Sequence, residues 1–373
     1  MNVATAIWFL GGLAALIVGA EMLVRGAVRV SRRLGISPLI VGLTVVAFGT
    51  SAPEFSVSVG ATFLREADLA VGNVIGSNIV NILLILGLTA LAAPLAVERR
   101  IVRSDVPAMI IASFLVLAFG HDGLLVRWEG IVLLTAFGIY VFRVIREARR
   151  FPYPVEPGAG GRPSGVLSSA AWAVFGVVGG CALLALGSRW MVTSGSQIAA
   201  ALGMSSAIFG LVLVALGTSL PELASSIVAV VRRQPDIAVG NLIGSCIFNV
   251  LCVLGVSSAA ASGGLSVAAE IVRFDLPVMI AAAVICLPIA ITGQAIARWE
   301  GALLLGYYVA YAVYQSFAVA FRGALPTLQI ALRGFVIPLT VVVLAVSIAR
   351  TATGRKERHR SRRPRGPRRP PPS

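Results

Sequence analysis

Apolar runs of about twenty residues recur along the whole chain, separated by short polar links in which arginine predominates. Such a run is long enough to cross a bilayer as a helix, which needs ~20 residues. It is too continuous for the alternating strands of ~10 residues that build a membrane barrel. The pattern predicts helices over about Ala4 to Val24, Ile36 to Leu64, Leu69 to Leu91, from Pro107 onward, and Trp128 to Val144. It then restarts, at about Gly165 to Leu186, Ser206 to Val231, Ile237 to Ala260, Leu276 to Ile291 and Gly301 to Val319. Arg25, Arg29, Arg32 and Arg33 fall in the first link, and Arg99, Arg100 and Arg103 in a later one. One clear linker, rich in Arg, Pro and Gly, runs from Arg146 to Ser164. The apolar run from Phe335 to Ala349 predicts an eleventh helix that begins before Arg333. An interfacial helix is the alternative there, because Arg333 and Pro338 weaken a span.

The restart is a duplication. Two apolar segments carry the same polar string, FGTSAPE from Phe48 to Glu54 and LGTSLPE from Leu216 to Glu222. Each is followed by a second one, GNVIGSNIVN from Gly72 to Asn81 and GNLIGSCIFN from Gly240 to Asn249. Residues of the first copy recur 168 positions later without a gap, Glu54 as Glu222 and Asn81 as Asn249. The likeness extends to LGIS at Leu34 and LGMS at Leu202, VRSDVP at Val102 and VRFDLP at Val272, and RWEG at Arg127 and Arg298. The repeated unit is therefore five helices, and an odd-numbered unit repeated in one membrane has its copies in opposite orientation. The expected fold is an all-α polytopic membrane protein with two inverted-topology repeats of five transmembrane helices and an eleventh C-terminal helix. Its segments are residues 1–145 for the first repeat, 146–164 for a cytoplasmic linker, 165–321 for the second repeat, 322–350 for the extra helix and 351–373 for a disordered basic tail.

Composition agrees: with 57% hydrophobic and 13% charged residues over 373 positions, a soluble globular protein is excluded. The net charge of +15 is unevenly placed, since the stretch from Arg350 to Ser373 alone holds ten Arg or Lys and one Glu. That Pro/Arg-rich tail reads as a topology anchor attracted to anionic membrane lipid. No nucleic acid is expected, because no aromatic residue is interleaved to stack on bases. The positive-inside rule places the N-terminus outside, the arginine-rich links inside, and the tail in the cytoplasm once the eleventh helix is counted. The N-terminus has no basic stretch before its apolar run, so it is read as a retained first helix of a multi-pass membrane protein rather than a cleaved signal. Cys181, Cys246, Cys252 and Cys286 lie in apolar segments without metal-ligand spacing and are read as small buried residues.

The chemistry sits in the duplicated strings. A carboxylate at membrane depth costs about 3 kcal/mol on insertion scales, so Glu54 and Glu222 require a compensating partner. Pro53 and Pro221 each remove a helix bond, freeing the carbonyls of Gly49 and Gly217 and loosening the turns Ala47–Ser51 and Ala215–Ser219. Thr50 and Glu54 share a helix face, as do Thr218 and Glu222. On the next helix Asn73, Ser77 and Asn81 form an i, i+4 series that Asn241, Ser245 and Asn249 repeat. If the halves face each other, these segments converge on a cavity of hard oxygen ligands. Calcium, with 6–8 flexible oxygens, fits it best, and Na+ uses the same ligand types. Ser51, Ser219, Ser58 and Ser226 serve either as ligands or as packing, and the motif glycines as packing. Asp68 and Asp236 are read as helix-start residues, and Glu21, whose repeat partner is Arg189, stays outside the duplicated set.

With GTS.PE and GN..GS each present twice, the chain resembles the cation/calcium exchanger superfamily, in its prokaryotic sodium/calcium exchanger branch. The family's two α-repeats resemble residues 42–88 and 210–256. The resemblance implies that Glu54 and Glu222 are the carboxylates shared by Ca2+ and Na+. It assigns Thr50 and Thr218 and the carbonyls of Ala47 and Ala215 to the ligand set, with Ser77 and Ser245 lining the sodium sites and Asn81 and Asn249 the middle of the site. Ser51, Ser219, Asn73 and Asn241 join the candidate ligands from the residue pattern rather than from the resemblance. It also implies that helices 1 and 6 slide across the core. Some relatives carry an aspartate at one of the positions of Asn81 and Asn249, and both being Asn here argues against potassium.

The expected function is a secondary-active antiporter exchanging Ca2+ for Na+ by alternating access, with both ions as substrates and no cofactor. One chain supplies both halves of the site, so a monomer suffices. The alternative is an H+/Ca2+ antiporter, although the proton-coupled branch resembles GN..E, and this chain has Gly76 and Gly244 at that position. An intramembrane enzyme is not supported, since the histidines are His121 in a link and His359 in the tail.

Overall fold

Without water, each backbone polar group in a bilayer is satisfied within its own helix, and the apolar runs fold accordingly. The computed structural model describes residues 3–150, 166–201, 216–293 and 295–320. In the first half α1 is Val3–Leu34 and α2 is a bent span made of Pro38–Thr50 and Ala52–Phe63. The half continues with α3 at Ala67–Ala92, α4 at Ile101–Gly120 and α5 at Arg127–Arg150. In the second half α6 is Val166–Ala201, α7 is Leu220–Val231 and α8 is Pro235–Ala260. It ends with α9 at Leu276–Gly293 and α10 at Arg298–Ala320. Six of the described helices are long and apolar enough to cross a membrane, and bent α2 makes a seventh. The protein is an all-α polytopic membrane protein.

Three helix ends differ from the hydropathy reading. Helix α1 does not stop at Val24 but runs through Arg25, Arg29, Arg32 and Arg33, turning only where Gly35 takes φ +62°. Helix α5 continues past Arg146 to Arg150, and α6 past Leu186 to Ala201. Hydropathy marks where apolar side chains end, whereas arginine is a good helix former and carries the helix onward until a breaker intervenes. The rest of the linker, the stretch 202–215 with Ala215, the eleventh helix and the basic tail lie outside the described residues.

The halves are joined by exchange. Strand β1 (Leu95–Ala96), which follows α3, pairs antiparallel with β4 (Ala295–Ile296), which precedes α10. Strand β2 (Leu124–Leu125), which precedes α5, pairs with β3 (Leu265–Ser266), which follows α8. The first strand of each half thus binds the second strand of the other, a two-fold relation. In addition, Tyr140 of α5 donates to Asp105 at the start of α4 at 3.2 Å, and Tyr311 of α10 donates to Asp275 just before α9 at 3.0 Å. The centre of the core is α3 and α8, which are buried along most of their length.

Helices α1 and α6 pack against each other through glycine. A Cβ at Gly12 would lie 2.9 Å from the Gly187 carbonyl, one at Gly19 2.9 Å from that of Gly180, and one at Gly26 2.8 Å from the Val177 nitrogen. This seven-residue spacing lets two antiparallel backbones approach closely over much of their length. Substitution of Gly180 by Leu, whose Cβ would lie 2.6 Å from the Leu23 nitrogen, should cost about 1–3 kcal/mol through overpacking. Thermal unfolding in detergent should show a lowered midpoint for Gly180→Leu and none for Gly11→Ala, where a Cβ meets nothing within 4 Å.

Candidate cation site

Both duplicated strings break their helices at the same residue. Ser51 leaves the helical region at φ −84°, ψ 10°, and Ser219 does so at φ −88°, ψ 5°. The two parts of α2 meet there at 47°. Pro53 and Pro221 occupy the second position of the helix that restarts, where a missing N–H is harmless. Glu54 and Glu222 follow in its first turn, at the end where the helix dipole favours an anion. Both glutamates are fully buried.

Each carboxylate is held by the other half. The Ser51 hydroxyl donates to Glu222 Oε1 at 2.8 Å, and the Ser219 hydroxyl donates to Glu54 Oε1 at 3.2 Å. Ser245 adds a further bond to Glu222 Oε1 at 3.3 Å. The Thr50 hydroxyl donates to Asn241 Oδ1 at 3.0 Å, and that of Thr218 to Asn73 Oδ1 at 3.3 Å, with Ser77 Oγ 3.3 Å from Thr218. The amide nitrogens of these asparagines are tied to their own half. Asn73 donates to Ser58 Oγ at 2.9 Å and to the Glu54 carbonyl at 3.2 Å, and Asn241 donates to Ser225 at 3.0 Å and Ser226 at 3.3 Å.

Four buried oxygens of this cluster accept no hydrogen bond among the described residues: Glu54 Oε2, Glu222 Oε2, Asn81 Oδ1 and Asn249 Oδ1. Buried polar atoms are nearly always partnered, so a set of orphaned oxygens on two carboxylates and two amides fits a hard cation as its missing partner. Asn81 and Asn249 lie in π-helical turns, Val80–Ile85 and Phe248–Val253, an irregularity common at functional sites.

The structure thus brings together Thr50, Ser51, Glu54, Asn73 and Ser77 with Thr218, Ser219, Glu222, Asn241 and Ser245, and buries Asn81 and Asn249 beside them. The Ala47 carbonyl is not free: it accepts from the Ser51 N–H at 3.0 Å and the Thr50 hydroxyl at 3.4 Å, so it would serve a cation only by giving one up. Ser58 and Ser226 bind the asparagine amides. Asp68 and Asp236 sit in the first turns of α3 and α8. Glu21 is apart from the site and forms ion pairs with Arg25 and Arg232. Asn78, which donates to the Cys246 carbonyl at 3.2 Å and accepts from Asn249 at 3.3 Å, is a site neighbour that the duplication did not mark, because its repeat partner is a cysteine. The motif glycines do pack closely in several places, Gly42 on Ile237, Gly240 on Leu39 and Gly49 on the Cys181 thiol, whereas a Cβ at Gly72 would meet nothing within 4 Å.

A family model described as sodium/calcium exchanger protein matches residues 4–146 and 172–317. CaxA of Alkalimonas amylolytica is 39% identical over 320 residues, covering 83% of this chain and 98% of that protein. The sodium/calcium exchanger MaX1 of Methanosarcina acetivorans is 32% identical over 336 residues, covering 81% and 95%. A solved structure of the sodium-calcium exchanger NCX_Mj, soaked with Na+ and Ca2+, matches with a TM-score of 0.71 at 29% identity, covering 86% of this chain and 99% of that one.

The crossed hydroxyl–carboxylate bonds make a prediction about stability. Ser51→Ala and Ser219→Ala each strip one donor from a buried carboxylate, which should cost about 1–3 kcal/mol. The loss should be the larger for Ser219→Ala, because Glu222 keeps the Ser245 hydroxyl when Ser51 is truncated. Thermal unfolding should show both, with Ser56→Ala, whose exposed hydroxyl only back-bonds to Ala52, near the unaltered protein.

Proposed function

The chain belongs to the sodium/calcium exchanger protein family, and from that premise we propose that it is a secondary-active antiporter exchanging Ca2+ for Na+ across the membrane by alternating access. The observation that carries this reading is the pair of fully buried glutamates, each hydrogen-bonded by the opposite half and each left with one unpartnered oxygen. Glu54 and Glu222 supply two negative charges, enough to neutralise one divalent ion. Thr50, Ser51, Ser77, Asn73 and Asn81, with Thr218, Ser219, Ser245, Asn241 and Asn249, supply neutral oxygens that favour a hard cation over a soft one. The carbonyls of Ala47 and Ala215 belong to the same proposed set. The ions are cargo, and no cofactor takes part.

Exchange follows from charge. Burying an uncompensated ion costs several kcal/mol even after relaxation, so a site with two bare carboxylates resists passing between the two sides empty. Loaded with Ca2+, or with Na+ on the same oxygens, it is compensated and can pass. Each ion leaves only when the other replaces it, which is counter-flow rather than leak. The two halves of the site lie on one chain, so a monomer suffices.

For orientation we infer that the N-terminus is outside and that the membrane is the prokaryotic cytoplasmic membrane. Two observations support it. Strands β1 and β4 join the links read as inside, and β2 and β3 those read as outside. At the inner end Arg99 just before α4, Arg103 of α4, and Arg143, Arg146 and Arg149 of α5 are all exposed, whereas the equivalent end of α9 and α10 has Arg273 as its one counterpart arginine beside the ring cluster Phe274, Tyr308, Tyr311 and Tyr314. Basic residues collect on the cytoplasmic side and aromatic ones at interfaces.

The test is Ca2+ uptake into vesicles holding the purified chain, driven in turn by a sodium gradient and by a pH gradient. Uptake should follow sodium; uptake that follows only the pH gradient would give the role of counter-ion to protons. Glu54→Gln should abolish exchange while the protein stays folded by size-exclusion chromatography, and exchange retained in that variant would remove Glu54 from the site.

A further inference from the structure

The two site asparagines occupy equivalent places in the repeats, yet their surroundings treat them differently. Asn78 of α3 is buried, and its amide nitrogen donates to the Cys246 carbonyl at 3.2 Å and approaches the Met279 sulfur at 3.6 Å. A backbone carbonyl only accepts, so the nitrogen end of Asn78 has to face it. The oxygen end of Asn78 therefore faces Asn249, 3.3 Å from its Nδ2. That bond fixes Asn249 in turn: its nitrogen is committed to Asn78 and its Oδ1 points away, buried and without a hydrogen bond. The Cys246 carbonyl thus sets the orientation of both amides.

The repeat partner of Asn78 is Cys246 of the second half, that of Met279 is Met109 of the first, and the amide they would orient is Asn81. The neighbour that Asn81 meets is the Cys246 thiol. A thiol is a weak donor and a weak acceptor, so it holds an amide end less firmly than a backbone carbonyl does. Neither amide atom of Asn81 has a hydrogen bond among the described residues. Asn249 is thus held through its nitrogen, and no hydrogen bond of that strength holds Asn81 among the described residues.

We propose that Asn78 is a positioning residue that commits the Asn249 carbonyl oxygen to the cation, and that Cys246 leaves Asn81 uncommitted, so the two halves of the site hold the ion unequally. This rests on the antiporter reading above. A locked oxygen needs no reorientation when an ion arrives, and this advantage is lost if the amide can present its N–H instead. The effect falls on ion affinity rather than on the passage between sides.

The informative substitution is Asn78→Cys, which installs at position 78 the residue the chain already tolerates at position 246. Half-saturating Ca2+ for exchange should rise about five- to tenfold, with the maximal rate within about twofold, a change of the size set by losing one oriented ligand. Equilibrium Ca2+ binding to the purified chain should weaken by the same factor. A purely structural role for Asn78 is separated by repeating the substitution in an Asn249→Ala background, where no amide is left for Asn78 to orient. There Asn78→Cys should change half-saturation less than twofold; a shift as large as in the unaltered background means that Asn78 acts by packing, and overturns the proposal. Unchanged half-saturation in Asn78→Cys overturns it as well. If the unaltered protein binds no Ca2+ saturably, the antiporter reading falls first and the positioning role with it. Cys246→Asn, the complementary change, should fix Asn81 and move Ca2+ half-saturation measurably, and no movement would contradict the inequality between the halves.

Discussion

Everything in this molecule is arranged around a crossed pair of hydrogen bonds, Ser51 to Glu222 and Ser219 to Glu54. A fully buried carboxylate is tolerable only with donors at hand, and each glutamate finds one on the opposite repeat. Neither half therefore makes a satisfied site alone. The rest of the architecture serves that meeting. The breaks at Ser51 and Ser219 put each glutamate in the first turn of a restarted helix. The asparagines of α3 and α8 tie that turn to the threonine of the other half. Outside the site, the β1–β4 and β2–β3 pairs join the halves at both ends of the core helices.

Two-fold exchange supplies the frame, and departures from it supply direction. Arg100 bridges Asp105 and Glu147 at one end of the molecule, whereas the matching Glu270 cannot, and Gln315 donates to Asp275 at 2.6 Å instead. Glu21 of α1 is bound by Arg232 beyond α7, whereas the repeat partners of these two residues are Arg189 and Leu64, which cannot form such a pair. Helices α1 and α6 face each other through glycine backbones and contribute no strand to the two pairs that tie the halves. A perfectly symmetric pair of halves would have no means of favouring one side of the membrane over the other. Those unmatched residues are where such a preference has to reside.

How much of this could be read from the chain depends on what kind of signal each feature leaves. The helices and the site were legible because polar residues inside apolar runs are costly and these recur at one offset. The helix ends were not, since α1 and α6 continue well past Val24 and Leu186 through residues that hydropathy counts as link. The π-helical turns at Asn81 and Asn249 leave no compositional trace, because they are a matter of one extra residue in the bonding pattern. Asn78 escaped for a different reason. A search for duplicated polar residues selects what the halves share, and Asn78 matters because Cys246 is not its equal.

That last point bears on why the site is built from two glutamates and two asparagines rather than from more acids. Two carboxylates match the charge of one divalent ion, and a third would leave net negative charge in the loaded site, where desolvation makes it most costly. An amide gives an oxygen without adding charge, but its other end is a donor that repels a cation, so its value depends on which way it is turned. Carboxylates need no such control, because both ends are alike. A site that completes its coordination with amides therefore has to orient them, and it can tune its grip on an ion by the neighbour that does so, with no change in the charge the ion meets. On the reading proposed here, Asn249, held by Asn78, and Asn81, beside a thiol, are the two settings of that control within one chain.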